Sequence, residues 1–228
     1  MGLAPHAAAA AELAPLEFVR IPAGTFTMGC ENGAPSERPP HVVWVDAFAI
    51  AVTPATNADF ARYRDATDAP APPFAGRPGF DDPRQPVVGV TWEAATAFAA
   101  WMNARLPTEA EWERAARGGL EGARFPWGDA RPELTIDGLP RVRATPANAF
   151  GLTDLSGVCH EWCADWFADD WYGISPARNP RGPARGTRRV SRGGAWRHAD
   201  PWSPVAHRSS LPPTLRYSDY GLRLARDF

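Results

Sequence analysis

The 228-residue chain has nearly balanced charge, with 24 Lys and Arg against 26 Asp and Glu. This argues against a nucleic-acid partner, because nucleic-acid-binding domains carry a clustered basic surplus. No stretch approaches the roughly 18 apolar residues of a membrane span, so no membrane partner is expected either. Three cysteines are too few, and odd in number, for a disulfide scaffold. A cytoplasmic location is the resulting expectation.

Proline, glycine and tryptophan are frequent, at 25, 20 and 10 residues, and they are scattered through a chain that is 44% hydrophobic. A disordered chain would have few aromatic residues. The composition therefore predicts a compact, loop-rich domain in which tryptophan supplies much of the buried area. We expect residues 1–15 to form a flexible tail and residues 16–228 a single domain, because no linker or internal repeat divides them.

The first half of the chain predicts two strand regions. The apolar run at residues 18–26, interrupted by proline and glycine, indicates a strand and a tight turn. Residues 41–50 alternate in part and are rich in valine and aromatics, which is typical of a strand. The intervening residues 31–40 are expected to form a polar loop.

Three helices are predicted from their start signals. Thr53 would cap the first, since a proline follows it at the favoured first helical position. Thr91 would cap the second, in which apolar residues recur at helical spacing. Thr108 and Glu111 form a capping box for the third, which ends at Gly118.

The third helix begins with three glutamates, at positions 109, 111 and 113, which we expect to be solvated and favoured by the helix dipole. After residue 118 no helical period is present, and turns and short strands are predicted. Together these features predict an α+β domain.

A series of short segments carries a family resemblance. The segments are, in chain order, residues 21–29 (IPAGTFTMG), 37–39 (ERP), 52–57 (VTPATN), 86–92 (PVVGVTW), 105–112 (RLPTEAEW), 126–128 (PWG), 148–152 (NAFGL), 154–157 (DLSG), 161–162 (EW), 192–196 (RGGAW) and 220–223 (YGLR). This ordered set resembles the formylglycine-generating enzyme, or sulfatase-modifying factor, family over about residues 18–228. The resemblance implies a C-type-lectin-like fold with little regular secondary structure.

The resemblance also implies where the chemistry would lie. Formylglycine-generating members carry a Cys-x4-Cys pair just after the Gly-Gly-Ser-aromatic element, and this pair binds copper and oxidises a substrate cysteine. Counted from residues 193–196, the two positions hold His198 and Ser203 in this chain. Soft thiolates select Cu(I), and imidazole with hydroxyl does not reproduce that site. We therefore expect a member that does not form formylglycine by the family mechanism.

Other metal-binding residue types stand at the same place. His198 and Asp200, with His207 further on, are the ligand types of a facial iron triad. His160 belongs to a loop that the family fold places beside residues 193–196, so His160 and His198 are expected to converge on iron or copper. Arg208 could bind an anionic substrate. The alternative is that these histidines bond to backbone or carboxylate groups, and that the arginine pairs with a carboxylate.

A calcium site is the second metal prediction from the resemblance. Asp154 would supply a side-chain oxygen, Gly157 and Cys159 their carbonyls, and Glu161 a carboxylate. Hard oxygen ligands of this kind suit calcium. The alternative is that the two carboxylates cap turns.

Two functional hypotheses follow. The first is a metal-dependent oxidative enzyme that acts on a small thiol, amine or peptide, with catalytic residues His198, Asp200, His160 and Arg208. The second is a noncatalytic lectin-like module or immunity protein whose loop surface binds a protein partner. Members of both kinds share the fold, so the fold alone does not decide between them.

Overall fold

Short strands and three helices are connected by long loops in the computed structural model, which describes residues 15–228. The tail predicted for residues 1–15 lies almost wholly outside the described residues. The elements are β1 (Phe18–Ile21), β2 (Gly24–Met28), β3 (His41–Val45), β4 (Phe48–Ala51), α1 (Asn57–Thr67), α2 (Trp92–Trp101), α3 (Glu109–Arg117), β5 (His160–Trp166), β6 (Arg189–Arg192), β7 (Ser209–Leu211), β8 (Tyr220–Leu222) and β9 (Ala225–Arg226), with 3₁₀ turns at Pro35–Glu37 and Trp171–Gly173. The α+β class is confirmed.

Three small sheets form the scaffold. One has the order β1-β4-β9, one is the hairpin β2-β3, and the third has the order β7-β6-β5-β8. In the third sheet β5 pairs antiparallel with β6 and parallel with β8. The central position of β5 places its first residues between two strands that come from distant parts of the chain.

Two local predictions were wrong in their boundaries. Residues 41–50 form two strands in different sheets, and α1 begins at Asn57 with Thr56 as its cap. The reason lies in the backbone before α1. The Ala55 N–H donates to the carbonyl of Leu222, and the Ala55 carbonyl accepts from Val87 N–H. These bonds, with the extended backbone of Thr56, keep the residues before Asn57 out of the helix.

The other two helix starts are confirmed. The Thr91 hydroxyl accepts from Ala94 N–H at the start of α2. Thr108 and Glu111 form the capping box of α3, and Gly118 ends it with a left-handed φ of 59°. Each signal acts within a few residues, which is why the sequence alone predicted it.

The core is built around α3 and β5. Trp112 of α3 and Trp162 of β5 are both completely buried, in agreement with the predicted role of tryptophan.

Within residues 15–228 the structure has no helix that meets the length and apolarity needed to cross a membrane.

The glutamates of α3 are buried, which corrects the prediction that they are solvated. Glu109 pairs with Arg192 and Arg208 at 2.7 Å each, and Glu113 pairs with Arg192 at 2.5 Å and Arg117 at 2.6 Å. Burial alone would raise the pKa of Glu109, but Arg208 and Arg192 outweigh it and hold that pKa below its usual value. The negative charges at the start of α3 are therefore compensated by arginines and are not solvated by water.

This network yields a stability prediction. Arg192→Met should lower the free energy of unfolding by about 3–5 kcal/mol, because it leaves two buried carboxylates short of a partner. Urea unfolding measures the change. The matched control is Arg143→Met, whose pair with Glu17 is more than half exposed on both sides, and we expect little change there. Equal, small losses for both variants would contradict the structural role of the network.

Candidate metal centre

His160 and His198 meet at the end of the third sheet. Their Nε2 atoms are 3.2 Å apart. His160 is the first residue of β5 and is buried, with its ring stacked on Tyr220 at 4.7 Å between centroids. His198 is solvent-accessible and follows a turn at Gly193 and Gly194, whose φ values of 93° and 66° favour glycine. The expected convergence of the two histidines is therefore present in the structure.

A third residue, Asp219, completes the cluster. One ligand atom from each of Asp219, His160 and His198 lies within 4.8 Å of the others. Asp219 is buried directly before β8, and its carbonyl accepts a 2.8 Å hydrogen bond from His160 N–H. The sequence analysis missed this residue. The sequence offers one indication, since Asp219 directly precedes the 220–223 segment of the family resemblance. That indication leads to His160 only when the parallel pairing of β8 with β5 is known.

The pKa values of all three side chains in the cluster are shifted from their usual values. Burial, followed by the nearby His198 and His207, lowers the pKa of His160 to about 3, and burial also lowers the pKa of His198. Both imidazoles are therefore neutral near pH 7, the form that binds metals. Burial raises the pKa of Asp219, although Arg197 and His198 act in the opposite direction.

The residues present fit a metal ion. Among the described residues, His160 Nδ1 and Asp219 Oδ1 are buried without a hydrogen-bond partner. The nearest cation to Asp219 Oδ1 is Arg197 Nη1 at 3.7 Å, too far for a hydrogen bond. Two imidazoles and a carboxylate are the ligand types of the facial triad of non-haem iron enzymes. A cation between them would compensate the buried carboxylate.

Asp200 does not belong to the cluster, which corrects the predicted His-x-Asp ligand pair. Its carboxylate pairs with Arg131, with Nη1 at 3.1 Å, and accepts from Trp202 N–H. The prediction assumed that residues two apart share a face, which holds on a strand. Residues 198–200 form a bend and not a strand, so the carboxylate of Asp200 lies away from His198.

His207 and Arg208 also have other partners. His207 Nδ1 lies 3.1 Å from Glu37 Oε1. Arg208 is buried, pairs with Glu109 and donates to the carbonyls of Ser36 and Ala168. These contacts favour the structural alternative for Arg208, and an anionic substrate could not reach its guanidinium without displacing them.

The predicted calcium ligands have protein partners. The Asp154 carboxylate accepts from the backbone N–H groups of residues 143, 144 and 145 at 2.5, 2.9 and 3.1 Å. The Glu161 carboxylate is bound by Arg223 at 2.8 and 2.9 Å and by Trp112 Nε1 at 2.6 Å. An ion held also by the carbonyls of Gly157 and Cys159 would compete with these donors. The contacts favour the structural alternative, and calcium stays a prediction.

The three cysteines do not form a reactive thiol pair. Cys159 and Cys163 are completely buried, and burial raises the pKa of both well above the usual value. Cys30 contacts Glu37 at 3.7 Å, and burial, followed by Glu37, raises its pKa. Ser203 is buried and exchanges hydrogen bonds with Ser156. The thiolate site of the formylglycine-forming members is therefore absent.

The model of the sulfatase-modifying factor enzyme 1-like domain matches residues 5–228. The chain belongs to this family. Among solved structures it is similar to PvdO from Pseudomonas aeruginosa, with 28% identity, a TM-score of 0.80, and coverage of 92% of this chain and 94% of that one. The predicted family and fold are confirmed.

Proteins related to this chain are named for different activities. The formylglycine-generating enzyme of Streptomyces coelicolor is 36% identical over 98% of this chain and 96% of its own. The serine/threonine-protein kinase pkn1 of Chlamydia pneumoniae is also 36% identical over 92% of this chain, which spans only 38% of the kinase. The hercynine oxygenase of Mycolicibacterium smegmatis is 32% identical over 92% of this chain and 61% of its own.

The two alternatives for Glu161 give different melting behaviour. If Arg223 and Trp112 satisfy its carboxylate, Glu161→Gln lowers the melting temperature, and EGTA leaves the wild-type melting temperature unchanged. The reason is that the variant leaves a buried guanidinium without its counter-charge. Melting curves of both proteins, with EGTA and with added calcium, make the comparison. A wild-type decrease in EGTA that the variant no longer shows would restore the calcium site.

Proposed function

We propose that this family member is a metal-dependent oxidative enzyme whose metal ion is held by His160, His198 and Asp219. The observation that carries the proposal is the juxtaposition of two neutral imidazoles and a buried carboxylate within 4.8 Å. Iron is the first candidate because this ligand set is that of non-haem Fe(II) oxygenases, and copper is the second. A relative named hercynine oxygenase supports an oxidative reaction within the family.

The three side chains would contribute differently. His160 is buried against Tyr220, and Asp219 is buried beside it, so these two residues hold fixed positions. His198 is the solvent-accessible member, so a substrate would approach from its side. Three protein ligands leave coordination positions open, where a bound iron ion supplies oxidative chemistry with oxygen.

The proposed substrate is a small thiol, amine or peptide. Its support is the position of the cluster, at the place where the family's formylglycine-forming members oxidise a cysteine side chain. With His198 and Ser203 at the two thiolate positions, the metal and the reaction would differ, but the same part of the fold would remain the reacting surface. This chain spans only 38% of the related kinase of Chlamydia pneumoniae, and the proposal does not include a kinase activity.

The metal proposal can be tested with Co(II) as a spectroscopic probe. We expect one Co(II) per chain, and at least about 100-fold weaker binding in His198→Ala and Asp219→Asn, since losing even a residue that only supports a metal ligand costs about 10–100-fold. Asp200→Asn is the matched control and should bind as the wild type does. Isothermal titration and the visible absorption of bound Co(II) measure both.

The controls also separate the alternatives. Weaker binding in Asp200→Asn with normal binding in Asp219→Asn would return the third ligand to the residue predicted from sequence. A wild-type protein that binds no Co(II), Fe(II) or copper would overturn the metalloenzyme and leave the lectin-like binding module as the function.

The reaction has its own test. Loaded with Fe(II) or copper, the protein should leave a Cys-x-Pro-x-Arg peptide without an aldehyde product in mass spectrometry, because the thiolate pair is missing. With Fe(II), oxygen consumption should rise on addition of a small thiol or amine from a panel, and His198→Ala should abolish the rise. A clear aldehyde product would contradict the first expectation, and unchanged oxygen consumption across the panel would contradict the second.

A further inference from the structure

A cavity of about 520 Å³ lies between α2, the segment that leads into α3, and β5. Its size falls in the range of small-molecule sites, which are mainly apolar and carry few polar groups. Apolar groups from six residues form most of its wall: Trp92, Thr96, Ala100, Ala104, Leu106 and Ala164. The remaining lining residues are Arg105, Thr108 and Arg181.

The wall is held rigidly. The Trp92 indole N–H donates to the carbonyl of Cys163 at 2.8 Å. The Arg189 guanidinium lies between two indoles, 3.7 Å from the ring centre of Trp92 and 3.5 Å from that of Trp166. The Ala164 N–H donates to a backbone carbonyl of the segment before α3 at 2.8 Å. A ligand would therefore enter a formed site and order few side chains on binding.

Almost every polar side chain of the wall already has a partner. The Thr96 hydroxyl donates to the carbonyl of Trp92 at 2.9 Å, and the Thr108 hydroxyl accepts from the N–H of Glu111. Arg105 is bound bidentately by Glu111 at 2.7 Å and also pairs with Asp227. These groups offer a ligand little beyond apolar contact.

Arg181 is the exception. It is exposed, and within residues 15–228 its side chain makes no hydrogen bond and no ion pair. Its charge helps to lower the pKa of Asp227, but Arg105 is the main cause of that shift and the residue that binds this carboxylate. An apolar cavity thus has one uncommitted guanidinium at its edge, and guanidinium binds carboxylates and sulfonates through charge-assisted hydrogen bonds.

We propose that this cavity binds a small amphipathic anion, with an aromatic body against Trp92 and a carboxylate or sulfonate on Arg181. The site is separate from the metal centre. Ala164 lies four residues after His160 on β5, about 13 Å along the strand, and the completely buried Trp162 stands between them. The binding therefore does not depend on the proposed oxidative function.

The test compares two probes of equal shape, 2-naphthoate and the neutral 2-naphthalenemethanol. In the wild type, 2-naphthoate should shift the NMR signals of the Trp92 indole N–H and the Ala104 methyl, and should bind at least about tenfold more tightly than the alcohol. Arg181→Gln should remove this preference. Arg185→Gln, which changes an exposed arginine of the same loop, should keep it.

A second variant tests the cavity itself. Ala100 is an exposed residue of α2 that lines the cavity, so Ala100→Trp should fold normally, as melting curves can verify, and should weaken both probes. Absence of binding at millimolar probe, equal affinity of acid and alcohol in the wild type, or equal behaviour of Arg181→Gln and Arg185→Gln would each overturn the proposal.

Discussion

The ion pair between Glu161 and Arg223 joins the parts of the chain on which the candidate metal centre depends. Both side chains are completely buried. Besides Glu161, the Arg223 guanidinium binds the carbonyls of Ala51, Val52 and Thr153, at 2.7 to 2.9 Å. One cation, in the segment directly after β8, thus connects the end of β4, the loop before β5 and β5 itself. Removing one partner from such a pair leaves an uncompensated buried charge and costs far more than the pair contributes. We therefore expect this ion pair to specify the arrangement of these segments more than it adds to stability.

This connection explains why the site residues lie where they do. His160 directly precedes Glu161, and Asp219 lies four residues before Arg223. The parallel register of His160 with Tyr220 then sets the two candidate ligands side by side. The presence of His198 and Ser203 at the two thiolate positions leaves this frame intact, since the frame depends on Glu161 and Arg223 and not on the residues that would hold the metal.

The parts of the structure that the sequence predicted are those set by nearby residues or by the family resemblance. The caps at Thr91 and Thr108 depend on contacts three residues away. The meeting of His160 with His198 followed from the family fold. The errors arise from distant partners: Glu109 was predicted to be solvated because Arg192 and Arg208 lie 83 and 99 residues further along the chain. Asp219 was missed for the same reason, because only sheet pairing brings it to His160.

The glycine in the middle of β8 bears on the position of Asp219, a ligand of the proposed metal ion. A Cβ atom on Gly221 would lie 2.7 Å from the carbonyl oxygen of Val87 and 3.2 Å from the sulfur of Cys159. A side chain there would require β8 or the backbone at Val87 to shift, whereas metal–ligand distances tolerate only about 0.2 Å. Gly221 therefore sets the accuracy with which Asp219 is placed, although it offers no ligand atom. If Asp219 binds the proposed metal ion, the geometry of that site depends in part on how closely β8 approaches the backbone at Val87.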